Sequence, residues 1–159
     1  MTTRDASTAA LLSSFTFVLC LGLGCATSSS RPASMRFDPY KRDQVFDRAV
    51  KKLSREAYPV AERDRGAGKI ATAPTTTRTQ ESCGLGVCEM KKIAIVTLSP
   101  SGEAVLEIKA WFRPSVRTTP EDDMWKPAWT SSQKALVESE AQALLGAMAP
   151  DAPEMSALK

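Results

Sequence analysis

Four cysteines and the absence of histidine set the chemistry that this chain can carry. Cys83 and Cys88 have four residues between them, two of them glycines that give so short a ring backbone freedom. In an oxidising compartment this pattern favours a disulfide with a structural role. A redox pair and half of a metal site are the alternatives. Redox pairs usually have two intervening residues, however, and a tetrahedral zinc ion would need two further ligands.

The acidic run from Glu121 to Asp123 supplies the other candidates for chemistry. Without histidine the chain lacks the commonest general base, so an enzyme would depend on lysines, on a borrowed metal or on carboxylates such as Asp122 and Asp123. Adjacent acids ahead of a helix are also favourable simply because of the helix dipole. Trp125 and Trp129 follow in the same segment, where they either anchor an interface or fold back over a small sheet. We predict no resident metal ion and no cofactor.

An apolar segment near the amino terminus, residues 9–24, predicts an exported protein. It is nearly free of charge, and its length of about 16 residues is short of the roughly 20 that a membrane-spanning helix needs. Residues 1–24 are therefore predicted to be a cleaved signal peptide. The segment ends Leu21, Gly22, Leu23, Gly24, Cys25, which resembles the lipobox of bacterial lipoproteins, a short apolar stretch that closes with a small residue directly before cysteine.

This resemblance implies that cleavage follows Gly24 and that the Cys25 thiol receives diacylglycerol. Cys20 is the competing candidate, but it lies inside the apolar run. Ala26 after the cysteine implies export to the outer membrane of the cell envelope, on the leaflet that faces the periplasm. Several acyl chains would hold the protein firmly in the membrane. Residues 26–34 are small, polar and interrupted by proline, so we predict that residues 25–37 consist of the lipidated cysteine and a flexible tether.

Hydrophobic periodicity predicts the elements that follow the tether. An amphipathic helix over residues 39–57 begins after the capping residue Asp38, and its apolar stripe consists of Val45, Phe46, Ala49, Val50, Leu53 and Ala57. Two short strands, residues 58–63 and 69–73, flank a glycine-containing turn. Residues 74–81 fit either a strand or an exposed loop, and their composition does not distinguish the two.

A hairpin and a final helix complete the predicted domain. The β-branched run 91–98 and the alternating run 104–112 enclose turn residues, which is typical of a hairpin with one face on a core. The last helix begins near Ser131 or Ser132, ends near Met148, and buries Leu136, Ala143, Leu144, Ala147 and Met148. The predicted class is α+β: an antiparallel sheet of about four strands with two helices packed on one face. One domain covers residues 38–149, and residues 150–159 form a loose tail.

A second, looser resemblance covers residues 45–72. A helix is followed by Tyr58, Pro59 and Val60, then by Asp64 and Arg65, and then by Gly68, Lys69 and Ile70. This order is similar to the helix-grip domains of the C-type lipoprotein of the outer-membrane β-barrel assembly machine. Similarity of this kind concerns the fold and carries no function.

The charge distribution bears on the partners. The formal net charge is +3, but the basic residues of segment 36–65 are interleaved with acids, so no clustered basic face is available for nucleic acid. We expect a non-catalytic binding or accessory module of an envelope complex, whose partners are the membrane, through the acyl chains, and other envelope proteins. The alternatives are a carboxylate-dependent enzyme acting on envelope polymers and a thiol or metal protein that uses Cys83 and Cys88.

Overall fold

Two long strands at the centre of one sheet organise the domain. The computed structural model describes residues 31–83 and 86–151. In chain order its helices and strands are β1 (Ala33–Arg36), α1 (Arg42–Arg55), β2 (Val60–Asp64), β3 (Lys69–Thr72), β4 (Thr75–Cys83), β5 (Gly86–Leu98), β6 (Glu103–Pro114), β7 (Lys126–Pro127) and α2 (Ser131–Met148). Short 3-10 helices at Pro39–Lys41 and Pro120–Asp123 precede α1 and β7.

The sheet is antiparallel in every pairing, with the order β1-β6-β5-β3-β2. β5 pairs with β6 in an unbroken register from Cys88 opposite Pro114 to Leu98 opposite Ala104. The other edge of β5 is shared by β3 and β4, which lie end to end along it. The outer edge of β6 is shared in the same way by β1 and β7.

The predicted antiparallel sheet with two helices is confirmed, but the sheet has seven strands rather than about four. The strands that the sequence pattern missed are short or polar. β4 consists mainly of threonine and polar residues, and it resolves the open question about residues 74–81 in favour of a strand. β1 lies in what we predicted to be tether, where Ala33 and Met35 pack against the core opposite Leu106 and Ala104. The folded region therefore begins before residue 38.

Several predictions lie outside the described residues. These are the signal peptide, the lipid-modified Cys25, the first part of the tether and most of the C-terminal tail. In the part that is described, neither helix combines the length and the apolar character of a bilayer-spanning segment.

Both helices contribute to a core on one face of the sheet. α1 buries Val45, Phe46, Ala49 and Leu53, as predicted. Ala57 does not extend this stripe: it is exposed, with a left-handed φ of 57°, in the turn that follows the helix. The predicted bounds of α2 are confirmed, although Ala143 is exposed. Leu144 and Met148 are buried as predicted, whereas Leu136 and Ala147 are only half-buried. The helical repeat also buries Val137, Ala141 and Leu145.

A charged cluster lies within this core, between α2 and the sheet. Lys92 is 8% exposed, and its Nζ forms an ion pair with Glu140 of α2. The Tyr58 hydroxyl donates to the same Glu140 carboxylate at 2.7 Å, and the Lys92 Nζ lies 4.5 Å from the Tyr58 ring centroid. Burial, together with the Glu140 carboxylate, raises the pKa of Tyr58 well above its ordinary value, so the hydroxyl stays protonated and keeps donating. These contacts join α2 to β5 and to the segment before β2.

Candidate functional site

The disulfide between Cys83 and Cys88 closes the β4–β5 hairpin. The predicted pairing is therefore confirmed, and both cysteines are buried, at 4% and 0% exposure. The bond joins the last residue of β4 to a residue near the start of β5, so it fixes the end of the sheet. Buried sulfur atoms are poorly accessible to an attacking thiolate, which favours a structural role over exchange chemistry.

Gln133, a residue that sequence analysis did not single out, joins this disulfide to the start of α2. Its side chain is fully buried, and Nε2 donates to the Sγ atoms of Cys83 and Cys88, each at 3.8 Å. Its Oε1 accepts from the backbone N–H groups of Trp129, at 3.1 Å, and Thr130, at 3.4 Å. The Thr130 side chain in turn accepts from the Gln133 N–H, which completes a capping box. The spacing of a threonine and a glutamine three residues later was the sequence signal for this contact.

We predict that replacing Cys83 and Cys88 together by serine lowers the free energy of unfolding by about 2 kcal/mol or less, because the bond closes a very short ring. Urea unfolding of the double variant and of the oxidised wild type measures the difference. Mass spectrometry of non-reduced peptides, with free thiols alkylated before digestion, confirms the bond in protein taken from its cell. An unfolded double variant would contradict the prediction.

Trp125 and Trp129 lie on opposite faces of the sheet. Trp129 is 47% exposed and packs edge-on against buried Phe112, with ring centroids 6.4 Å apart. The Trp125 ring lies on the face of the sheet away from the helices, where two cationic side chains pack against it. Its ring centroid lies 4.3 Å from the Arg113 Cζ and 5.0 Å from the Lys91 Nζ, at cation–π distances. Of the two predicted interface residues, Trp125 therefore folds back onto the sheet, and Trp129 keeps an exposed ring.

The two candidate catalytic acids stabilise the segment that carries these tryptophans. The Asp122 carboxylate accepts from the backbone N–H groups of Thr118 and Thr119, both at 2.9 Å, and from the Thr118 hydroxyl at 3.0 Å. These hydrogen bonds lower the pKa of Asp122 to about 2, so the group is ionised at neutral pH and is a poor proton donor. Asp123 pairs instead with Arg117, at 3.2 Å. Among residues 31–83 and 86–151, no three side chains come together as ligands for a metal ion.

Exposed apolar side chains gather at this end of the domain. Five large hydrophobic residues of the described chain are exposed, and four of them belong to the β4–β5 hairpin or to the segment after β6: Val87, Val116, Met124 and Trp129. We call these four the hairpin-end patch. Two of them, Val116 and Trp129, line a pocket of about 260 Å³, whose wall also includes Cys83, Glu121 and Lys126. The fifth exposed residue, Tyr40, lies near the β5–β6 turn, at the opposite end of β5.

The fold and this surface define a two-layer α+β domain with a disulfide-closed hairpin and an exposed apolar end. No family model matches the chain, and no curated protein matches it. Among solved structures, a DUF4468 family protein from Bacteroides ovatus is similar, with a TM-score of 0.53 and 13% sequence identity over 79% of this chain and 88% of that protein. At this identity the likeness shows the fold alone. The resemblances to the lipobox and to helix-grip domains stay predictions.

Proposed function

We propose that this chain is a lipid-anchored protein of the bacterial cell envelope whose folded domain binds another envelope protein without catalysing a reaction. The observation that carries the proposal is the hairpin-end patch, four exposed apolar side chains at one end of the domain, two of which, Val116 and Trp129, line a pocket of about 260 Å³. Contiguous exposed apolar surface on a soluble domain marks interaction sites, and tryptophan is among the residues that contribute most to interface energy.

The surroundings of the patch support binding because they hold it rigid before a partner arrives. The disulfide fixes the β4–β5 hairpin, Gln133 holds the backbone of Trp129, and Asp122 holds the turn at Thr118 and Thr119. A surface that is ordered in advance loses less conformational entropy on association. Glu121 and Lys126 at the pocket wall provide a polar rim of both signs.

Two observations favour binding over the alternative functions. An enzyme based on Asp122 would need a carboxyl group that exchanges protons, whereas this carboxylate accepts three hydrogen bonds and has a pKa of about 2. A thiol or metal protein based on Cys83 and Cys88 would need accessible sulfur, whereas both are buried and joined to each other.

Site-specific photocrosslinking in native membranes tests the proposal. We expect a photoreactive side chain at position 124, within the patch, to form discrete crosslinked species in the full-length chain. Trp129→Ala should reduce their yield by about tenfold or more, since truncating an interface hot spot costs about 2 kcal/mol or more. The crosslinked partner is identified by mass spectrometry.

Tyr40 supplies the matched control, because it is a 98% exposed aromatic side chain at the other end of β5. A photoreactive side chain at position 40 should give no discrete species, and Tyr40→Ala should leave crosslinking from position 124 unchanged. Equal yields from both positions, or a Trp129→Ala variant that crosslinks like the wild type, would overturn the assignment of the patch.

A further inference from the structure

The outer edge of β4 has no strand partner in the described part of the chain. Its inner edge pairs with β5, and β3, which lies end to end with it, is covered by β2. The sheet is therefore one strand narrower beside β4 than beside β3. A strand added there would lie end to end with β2. Pairing is regular over Thr75–Arg78, before a register shift that precedes Ser82.

The hydrogen bonds of β5 determine which β4 residues direct their backbone groups outward. The Leu98 N–H donates to the Gly68 carbonyl, on the β3 side, at 2.7 Å. The Val87 carbonyl accepts from the Ser115 N–H, on the β6 side, at 3.0 Å. Successive residues of a strand direct these groups to alternate edges, and the β5–β6 register is unbroken. Even-numbered residues of β5 therefore direct their backbone N–H and C=O groups toward β3 and β4.

Thr77 lies opposite Met90, an even-numbered residue, so its backbone groups bond inward to β5. The N–H and C=O groups of its neighbours Thr76 and Arg78 consequently point to the free edge. Threonine and other β-branched residues favour extended backbone, so the edge is suited to further pairing.

A row of alternating charges crosses the sheet and ends at this edge. Arg78 is paired in register with Glu89, and Glu89 with Arg113. The Arg113 Nε donates to the Glu89 carboxylate at 2.9 Å, and Arg117 donates to the same carboxylate at 3.2 Å. Arg78 is exposed at the end of the row. An acidic side chain on a neighbouring strand would continue the alternation, because oppositely charged cross-strand pairs are stabilising.

We infer that β4 binds an extended polypeptide segment by strand addition, with an acidic residue of that segment opposite Arg78. Backbone hydrogen bonds to Thr76 and Arg78 would supply affinity, and the charge opposite Arg78 would supply selectivity. A second copy of β4 is a poorer occupant, because the residues that share the Arg78 face are Thr76, Gln80 and Ser82, none of them acidic. This inference goes beyond the hairpin-end patch and does not depend on it.

Hydrogen–deuterium exchange of the purified full-length chain tests the inference. The probe is a capped peptide of about seven residues, a usual strand length, that alternates valine and threonine around a central glutamate. At a concentration ten times its Kd, we expect exchange of the Thr76 and Arg78 amides to slow by about tenfold. The same peptide with a central lysine should bind about fivefold more weakly, and Arg78→Glu should reverse that preference.

Two variants at one position separate backbone pairing from side-chain effects. Thr76→Pro removes the outward N–H and should abolish the protection of the Arg78 amide by the peptide. Thr76→Val keeps the N–H and should preserve that protection. Trp129→Ala should leave protection unchanged, so failure of the patch and failure of the edge give different results. The inference is overturned by an absence of protection with either peptide, or by equal binding to Thr76→Pro. The inference is also overturned if the Thr76 and Arg78 amides are already protected without peptide. Such protection would rise with protein concentration if a second copy caused it, and would be lost on deletion of residues 152–159 if the C-terminal segment caused it.

Discussion

Replacing Cys25 by serine should leave the chain without attached lipid and uncleaved after residue 24. In the proposed lipidation the Cys25 thiolate is the nucleophile that forms the thioether to diacylglycerol, and a serine hydroxyl would be a far weaker one. Each buried methylene of an acyl chain contributes about 0.8 kcal/mol to membrane binding, so losing all chains removes stable anchoring. Metabolic labelling with a clickable fatty acid and membrane fractionation measure the result.

Cys20→Ser is the matched control, because this cysteine lies five residues earlier within the apolar run. It should keep full labelling and the same processed mass. Undiminished labelling of Cys25→Ser would refute the lipobox assignment. Labelling that is lost only in Cys20→Ser would move the modified residue upstream. The mass of the mature amino-terminal peptide identifies the cleavage site directly.

Gly102→Ala should cause a large loss of stability although it adds only a single methyl group. Gly102 has a φ of +86° in the β5–β6 turn, and its carbonyl accepts from the Phe37 N–H at 2.8 Å. An added Cβ would lie 2.3 Å from the Phe37 carbonyl oxygen and 3.1 Å from the Pro39 ring. Backbone strain and the forced displacement of β1 should together lower the free energy of unfolding by about 3 kcal/mol.

Gly146→Ala adds the same methyl group where nothing lies within 4 Å of it. Gly146 is exposed within α2, so alanine should raise the free energy of unfolding by about 0.5 kcal/mol through helix propensity. Urea unfolding followed by tryptophan fluorescence measures both variants. Stability of Gly102→Ala equal to the wild type would contradict the packing of the segment before α1 against this turn.

The sequence alone was enough to predict the helices and strands whose apolar residues recur at a regular spacing. The stripe from Val45 to Leu53 and the alternation from Ala104 to Phe112 each bury one face wherever they pack, so α1 and β6 were predictable. The Cys83–Cys88 pairing was predictable for a related reason, because its partners are close along the chain. The signal peptide and the lipid-modified Cys25 stay predictions that rest on the sequence alone.

Tertiary structure decided the features that depend on distant partners. β1 and β4 lack a clear pattern and exist because long neighbouring strands offer unpaired edges. Gln133 and Lys92 are polar residues that become buried only because the disulfide and Glu140 receive them. The same packing separates the two tryptophans, covering Trp125 with cations and leaving Trp129 exposed. Hydrophobic periodicity specifies which face of an element is buried, whereas the contacts that satisfy a buried polar group are formed only when remote segments meet.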